Sequence, residues 1–309
     1  EFARSPELTI DTTTHTVSEA TAAAVDFVCR HFLAAARGSI KMPLFDEAGL
    51  RRRLLLEEGS PEQRKISRRA RAHAARLLSD ARAGERRTSS SFVQDRERMV
   101  ELQIAARGVR DPFVLSAMRR VPRDAFVPRE LAGLAYEDRP LPIGEGQTIS
   151  QPYIVAVMIE AVRPKPGDRG LEIGTGSGYS AAVLATIVAE VYTVERLSGL
   201  AQSAGQRLAD LGYTNVHVRH ANGSVGWPEH APYEVIIVTA GGPKVPASLL
   251  DQLAIGGRLV MPVGDLLAGQ RLVRVIRAGQ DDYKHEELED VAFVPLIGEE
   301  GWRPGELPG

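Results

Sequence analysis

The 309-residue chain is 43% hydrophobic and 25% charged, with a formal net charge of −2, the composition of a globular protein with sequence enough for one large domain and a smaller segment. It holds no run of the ~20 uncharged apolar residues that a membrane helix needs, no basic-then-apolar leader at its N-terminus, and one cysteine, Cys29, which excludes an internal disulfide and a thiolate zinc cluster. No membrane or metal partner is expected, and the cytoplasm is the default compartment.

The chain opens on Glu1-Phe2 rather than Met, as a fragment or a cloning junction does. Residues 1–93 read as an N-terminal extension, mostly helical or partly disordered. Ser18 to Ala36 fits a helix with Ser18 as N-cap and apolar residues at Ala22, Val25, Cys29 and Phe32. Arg51 to Arg87 holds twelve basic and five acidic residues, a local +7 that leaves −9 elsewhere. Within it, Arg64 to Arg87 has high helix propensity and little apolar content, the pattern of a solvated helix more than of a nucleic-acid interface. Ser5 to Thr12 with the helix after it is similar to the tail of P-loop nucleotide kinases such as adenylylsulfate kinase. No Gly-x-x-x-x-Gly-Lys-Ser/Thr loop accompanies it, so kinase activity is not supported. Thr88-Ser-Ser-Ser91 reads as a linker.

From residue 94 to the end the texture is that of a packed enzyme domain. Two helices are expected, over Asp95 to Arg107 and Asp111 to Arg120, the second capped by Asp111 with Pro112 in its first turn. Four prolines then punctuate an irregular passage that ends in Gly144-Glu-Gly-Gln-Thr-Ile-Ser-Gln-Pro152, where Pro152 opens a helix running to Val162. Strands are expected at 169–173, 191–194, 216–219, 235–238, 258–262, 271–277 and near 289–294, with helices at 179–188, 197–211 and 246–253. That alternation predicts an α/β, doubly wound, mostly parallel seven-stranded sheet covered on both faces, with a further helical segment at the N-terminus.

The strongest local signal is Leu171-Glu-Ile-Gly-Thr-Gly-Ser-Gly-Tyr179, set between a buried strand and a helix. Gly174, Gly176 and Gly178 let the backbone turn sharply beside a ligand, with Thr175, Ser177 and the amides of the next helix facing it. Glu195 ends the next strand, some twenty residues on, where a carboxylate can accept hydrogen bonds from both hydroxyls of a ribose; a solvated strand end is the other reading. A dinucleotide site would use the same carboxylate. Its fingerprint, however, wants a glycine where Tyr179 stands, whereas Gly-x-Gly-x-Gly preceded by an acidic Glu172 is the form found in methyltransferases that bind S-adenosylmethionine. Asn222 and Gly223, after the third strand, suit an adenine contact through the Asn amide oxygen or, equally, a simple Asn-Gly turn.

The loop ahead of the sheet narrows the family. Leu141-Pro-Ile-Gly-Glu-Gly-Gln-Thr-Ile-Ser-Gln-Pro-Tyr153 resembles the protein-L-isoaspartate O-methyltransferases. The likeness continues through Arg107-Gly-Val-Arg-Asp-Pro112, Arg120-Val-Pro-Arg-Asp-Ala-Phe-Val-Pro128, Val194-Glu-Arg196, Val238-Thr-Ala240, Pro262-Val-Gly264 and Phe293-Val-Pro-Leu296, in order over roughly residues 94–302. The resemblance implies an S-adenosylmethionine-dependent enzyme, releasing S-adenosylhomocysteine, that methylates the free α-carboxylate of L-isoaspartyl residues in damaged proteins and so starts their repair through a succinimide. It marks Ser150 as catalytic and Gln147, Thr148 and Ile149 as lining the cofactor with it, although the Ser150 hydroxyl is also placed to cap the helix after Pro152. The substrate peptide is expected near Ser150, Thr239-Ala240 and Val294-Pro295, held by its backbone so that many sequences are accepted. Two departures stand out: Asn222 replaces the Asp of many members, and Val155 offers no polar group where some animal members have a histidine. A monomer that binds no nucleic acid completes the expectation; a dinucleotide-dependent dehydrogenase, or a methyltransferase of small molecules or RNA on the same sheet, is the competing reading.

Overall fold

The computed structural model describes residues 89–265 and 269–303. The expected extension up to residue 88, with its Ser18 helix and Arg-rich stretch, lies outside the described residues. The chain divides into two units: the larger comprises residues 88–127 and 135–308, and the described part of the other is 128–134, which holds the 3-10 turn Arg129–Leu134.

Helix α1 (Ser89–Arg98) starts where the serine run suggests a linker, and it continues without a break into a π-helical turn (Met99–Ile104) and a 3-10 turn (Ala105–Arg107). The apolar spacing explains the widening. Met99, Val100 and Ile104 are all buried while Leu102 is exposed, and the five-residue step from 99 to 104 matches one π turn better than one α turn. Gly108, at φ 107°, closes the run in the left-handed conformation. Helix α2 (Pro112–Arg120) is capped as its sequence predicts: the Asp111 carboxylate accepts from the Phe113 and Val114 amides at 2.8 and 3.2 Å, with Pro112 in the first turn. Helix α3 (Pro152–Val162) begins at the predicted proline.

The passage read as irregular contains a small antiparallel hairpin, β1 (Leu141–Gly144) and β2 (Gln147–Ile149). Its two turn residues, Glu145 and Gly146, both have positive φ, as a type I′ turn demands.

Strands β3 (Arg169–Ile173), β4 (Glu190–Glu195), β5 (Val216–His220), β6 (Tyr233–Val238), β7 (Leu253–Asp265), β8 (Gly269–Arg277) and β9 (Tyr283–Val291) form one seven-stranded sheet in the order β5-β4-β3-β6-β7-β8-β9. The first five positions in that order are parallel and the last two pairings antiparallel, so the mostly parallel, doubly wound sheet is as predicted. Helices α4 (Tyr179–Ala185), α5 (Ser198–Asp210) and α6 (Ala247–Asp251) occupy crossovers. The last is shorter than expected because β7 starts early, Tyr233 pairing with Leu253 and the Tyr233 amide donating to the Gln252 carbonyl at 2.9 Å.

Leu171, Ile173, Tyr192, Val194, Ile236, Val238, Leu259 and Met261 belong to one core cluster. Two-residue alternation therefore turns Glu172, Thr193 and Glu195 to the other face. The chain winds outward from β3 through β4 to β5, then returns to place β6 on the other side of β3. A crevice consequently opens between β3 and β6 at the carboxyl ends of the strands, the place where open α/β sheets bind ligands.

Candidate active site

The glycine loop leaves the end of β3 pinned on both sides: the Gly174 amide donates to the Val194 carbonyl at 2.9 Å, and the Thr239 amide to the Ile173 carbonyl at 2.9 Å. Gly174, Gly176 and Gly178 have φ of 94°, 53° and 90°. At Gly174 a side chain is doubly excluded, since a Cβ there would also sit 2.4 Å from the Thr239 hydroxyl oxygen. That hydroxyl is itself engaged, donating toward the Gly174 and Ile173 carbonyls at 2.7 and 3.0 Å.

Glu195 holds the loop from the neighbouring strand. Its Oε2 accepts from the Gly176 amide and its Oε1 from the Leu197 amide, both at 2.9 Å, which leaves each oxygen a lone pair. Glu172 lies beneath the loop, almost fully buried and opposite Thr193 in the β3–β4 register. The Thr193 hydroxyl donates to Glu172 Oε2 at 2.6 Å, so the Thr175 hydroxyl, 2.7 Å from Thr193, is the donor in that second bond. Burial pushes the Glu172 carboxyl up to about 7 from 4.5, against the hydrogen bond from Thr193 that opposes it. Glu172 Oε1 and Ser177 Oγ are buried without a protein partner. Of the two residues Ser177 lines the cleft, where its open hydroxyl fits a ligand carboxylate.

Over the loop lies the hairpin, with Ile143 against it: a Cβ on Gly176 would stand 3.2 Å from Ile143 Cδ1. On the far side residues 293–302 form a strap. Gly241 bridges to the strap on either side of Pro295: its amide donates to the Val294 carbonyl and its carbonyl accepts from the Leu296 amide, both at 2.8 Å. Buried Gln270 grips the Phe293 backbone with both ends of its amide, at 2.7 and 3.2 Å, and the Trp302 indole donates to the Gly241 carbonyl at 3.0 Å.

These elements enclose a cleft of about 940 Å³, its open mouth included. Gln147, Thr148, Ile149, Ser150, Gly174, Thr175, Gly176, Ser177, Glu195, Gly223, Thr239, Ala240, Val294 and Pro295, predicted from sequence, all line it. Glu172, Gly178 and Asn222 are not among the lining residues. Glu172 lies under the loop, and Gly178 is the N-cap of α4. Asn222 turns its Oδ1 to the Ser224 amide and hydroxyl, at 3.0 and 2.9 Å, which is the Asn-Gly turn geometry; it caps the turn that carries Gly223. There a Cβ would stand 2.5 Å from Ile173 Cγ2, so glycine allows that turn to approach the end of β3. Ser150 does not cap α3: the N-cap is Gln151, without a side-chain cap.

Tyr179, Ser180, Leu197 and Ile297 also line the cleft, though the sequence offered no chemical reason to single them out. Thr193 and Gln270 were equally hidden, because each acts on a residue distant in sequence. Among the described residues no cluster of three His, Cys, Asp or Glu side chains could hold a metal, and no helix is long and apolar enough to cross a membrane.

Known proteins are similar to this chain in sequence and fold. A family model described as Protein-L-isoaspartate(D-aspartate) O-methyltransferase matches residues 94–301. Protein-L-isoaspartate O-methyltransferase 1 of Rhodopseudomonas palustris (strain HaA2) is 63% identical over 214 residues, 69% of this chain and 87% of the relative. The Protochlamydia amoebophila (strain UWE25) protein-L-isoaspartate O-methyltransferase is 60% identical over 205 residues, 66% of this chain and 98% of the relative. A solved protein-L-isoaspartate O-methyltransferase superimposes with a TM-score of 0.60 at 30% identity, covering 67% of each chain. A Plasmodium falciparum structure named for the same activity, in complex with S-adenosyl-L-homocysteine, gives 0.57 at 25% identity over 65% of this chain and 98% of that one. On a family match over residues 94–301 and identities of 60% and more to named members, this chain belongs to the protein-L-isoaspartate(D-aspartate) O-methyltransferase family.

Proposed function

We propose that the chain transfers a methyl group from S-adenosylmethionine to the free α-carboxylate of L-isoaspartyl residues in damaged proteins and peptides. The observation that carries this reading is the meeting of the 147–150 segment, the glycine loop, Glu195 and the strap around one cleft. When bound, S-adenosylmethionine supplies an electrophilic methyl group on a sulfonium centre and departs as S-adenosylhomocysteine.

The residues divide the work by their chemistry. The spare lone pairs of Glu195 would accept from ribose hydroxyls. The amides of the glycine loop and the Ser177 hydroxyl would suit the carboxylate of the methionine moiety, and Glu172, under the loop, would act through Thr193 and Thr175, which it holds in place. Asn222 would act through the turn it caps, which brings Gly223 to the cleft, and Gln147, Thr148 and Ile149 would help to hold the cofactor from the hairpin side.

The methyl acceptor is ionised at neutral pH, since an α-carboxyl has a reference pKa near ~3.5. It needs no general base. What remains for the protein is to orient the carboxylate and exclude water. Ser150 donates a hydrogen bond to one carboxylate oxygen, and Thr239, Ala240, Val294 and Pro295 hold the peptide beside it. The methyl ester later closes to a succinimide as the following backbone amide nitrogen displaces methanol from the ester carbonyl, and hydrolysis of the ring returns part of the material to normal aspartate. Because one chain lines the whole cleft, a monomer suffices; a single cysteine suits a reducing cytoplasm.

Incubation with S-adenosylmethionine and an isoaspartyl hexapeptide should yield a base-labile methyl ester, with none on the aspartyl isomer. Equal methylation of the two isomers, or of neither, would refute the assignment.

A further inference from the structure

Ser150 stands between two anchors. Before it, Ile149 is fixed in the hairpin opposite Leu141. After it come Gln151, Pro152 and Tyr153, and both Gln151 and Tyr153 are tied to Asp138, a residue of the loop that precedes the hairpin. The Gln151 amide donates to Asp138 Oδ2 at 2.7 Å and to the Asp138 carbonyl at 3.1 Å. The Tyr153 backbone amide donates to Asp138 Oδ1 at 3.3 Å. Pro152 has no N–H, so Tyr153 carries the first amide of α3 in need of an acceptor, and Asp138 supplies it from a distant part of the chain.

Asp138 is itself held. Arg107 Nη1 donates to Oδ2 at 2.6 Å, and the Arg107 guanidinium carbon lies 3.4 Å from the centre of the Tyr153 ring, closing the cluster on its other side. The side chain is only 23% exposed. One carboxylate thus fixes the two residues that follow Pro152 and Ser150 in sequence, through charge-assisted bonds that are about twice as strong as neutral ones.

We propose that Asp138 is a positioning residue for methyl transfer: by clamping Gln151 and the start of α3 it sets where the Ser150 hydroxyl stands, and it acts on the acceptor side of the cleft without touching the donor side. The proposal rests on the reading of Ser150 as the group that meets the substrate carboxylate. The Asp138→Asn variant tests it by a small change. An amide at that position offers one acceptor and one donor where Arg107, Gln151 and the Tyr153 amide all donate, so the clamp cannot be satisfied on both sides.

The experiment measures kcat and KM for an isoaspartyl peptide, with the concentration of active sites counted by S-adenosylhomocysteine titration, for Asp138→Asn, Gln151→Ala, the double variant and Ser150→Ala. Expected for Asp138→Asn is a ten- to hundredfold loss of kcat per binding site, with S-adenosylhomocysteine affinity within twofold of the parent. Gln151→Ala should fall in the same direction, and the double variant should be no slower than Asp138→Asn, because the two act through one connection. A purely structural role would lower the melting temperature and the fraction of binding sites and leave kcat per site unchanged; that result overturns the proposal. So does a parallel loss of S-adenosylhomocysteine affinity, or losses that multiply in the double variant. If Ser150→Ala itself keeps full kcat, the parent reading of Ser150 fails instead, and the two failures remain distinct. Should Asp138→Asn fail to fold, Gln151→Ala, which leaves the Asp138–Arg107 pair intact, decides by the same criteria.

Discussion

Burial holds the Glu172 carboxyl at about 7, above its ordinary 4.5, so the native state binds that proton more tightly than the unfolded chain does. The stability this confers, relative to the ionised state, is complete below about 4.5. It is lost as pH rises toward 7, a fall on the order of 3 kcal/mol. Urea denaturation of the parent and of Glu172→Gln at pH 5 and pH 8 should show a drop in the parent that the variant lacks; equal pH dependence in both would remove Glu172 as its source. At this scale the sequence is legible only where the pattern is local. Glu172, Glu195 and Ser150 could be singled out because each sits in a local pattern whose chemistry is known from neighbours in the chain. Thr193, Gln270 and Asp138 could not, since their partners are 21, 23 and 13 or more residues away and register is what brings them together. Asn222 shows the intermediate case: the sequence supports either reading, and the structure adds the contacts of Oδ1 with the Ser224 amide and hydroxyl.

Among elements, the buried strands were legible because runs such as Val235 to Val238 are apolar throughout, as strands covered on both faces must be. The hairpin was not, because Glu145 occupies a turn position usually held by Asn, Asp or Gly, and Pro142 argues against a strand unless it lies at an edge. The π turn was missed for a related reason: Met99, Val100 and Ile104 also fit an α-helical pattern loosely. One connection between elements lends itself to measurement. Glu160, on α3, accepts the backbone amides of Arg110 and Asp111 at 2.6 and 2.7 Å and so ties the Arg-Gly-Val-Arg-Asp-Pro turn to the helix that follows Ser150. Replacing it with Ala leaves two amides without that partner, at a cost of about 1–2 kcal/mol. Chemical denaturation should show this as a lower midpoint with unchanged slope; an unchanged midpoint would mean water replaces the carboxylate without loss.

For the whole molecule, the return of the chain from β5 to β6 places a crevice beside β3, and the hairpin and strap convert that crevice into a cleft. A ligand that binds only the folded state stabilises it by about 2.7 kcal/mol at a hundredfold excess over its dissociation constant, and each kcal/mol raises the melting temperature by about 2–4 °C at this size. S-adenosylhomocysteine should therefore raise the melting temperature by roughly 5–10 °C, and NAD should leave it unchanged; a shift with NAD alone would favour a dinucleotide site. The most direct test of the account is calorimetric titration of S-adenosylhomocysteine into the parent and into Glu195→Ala. Saturable 1:1 binding by the parent, weakened tenfold or more in the variant, is the predicted result, because a charged acceptor facing two hydroxyls contributes about 1.5–3 kcal/mol. Undiminished affinity in Glu195→Ala would contradict it and move the donor out of the cleft.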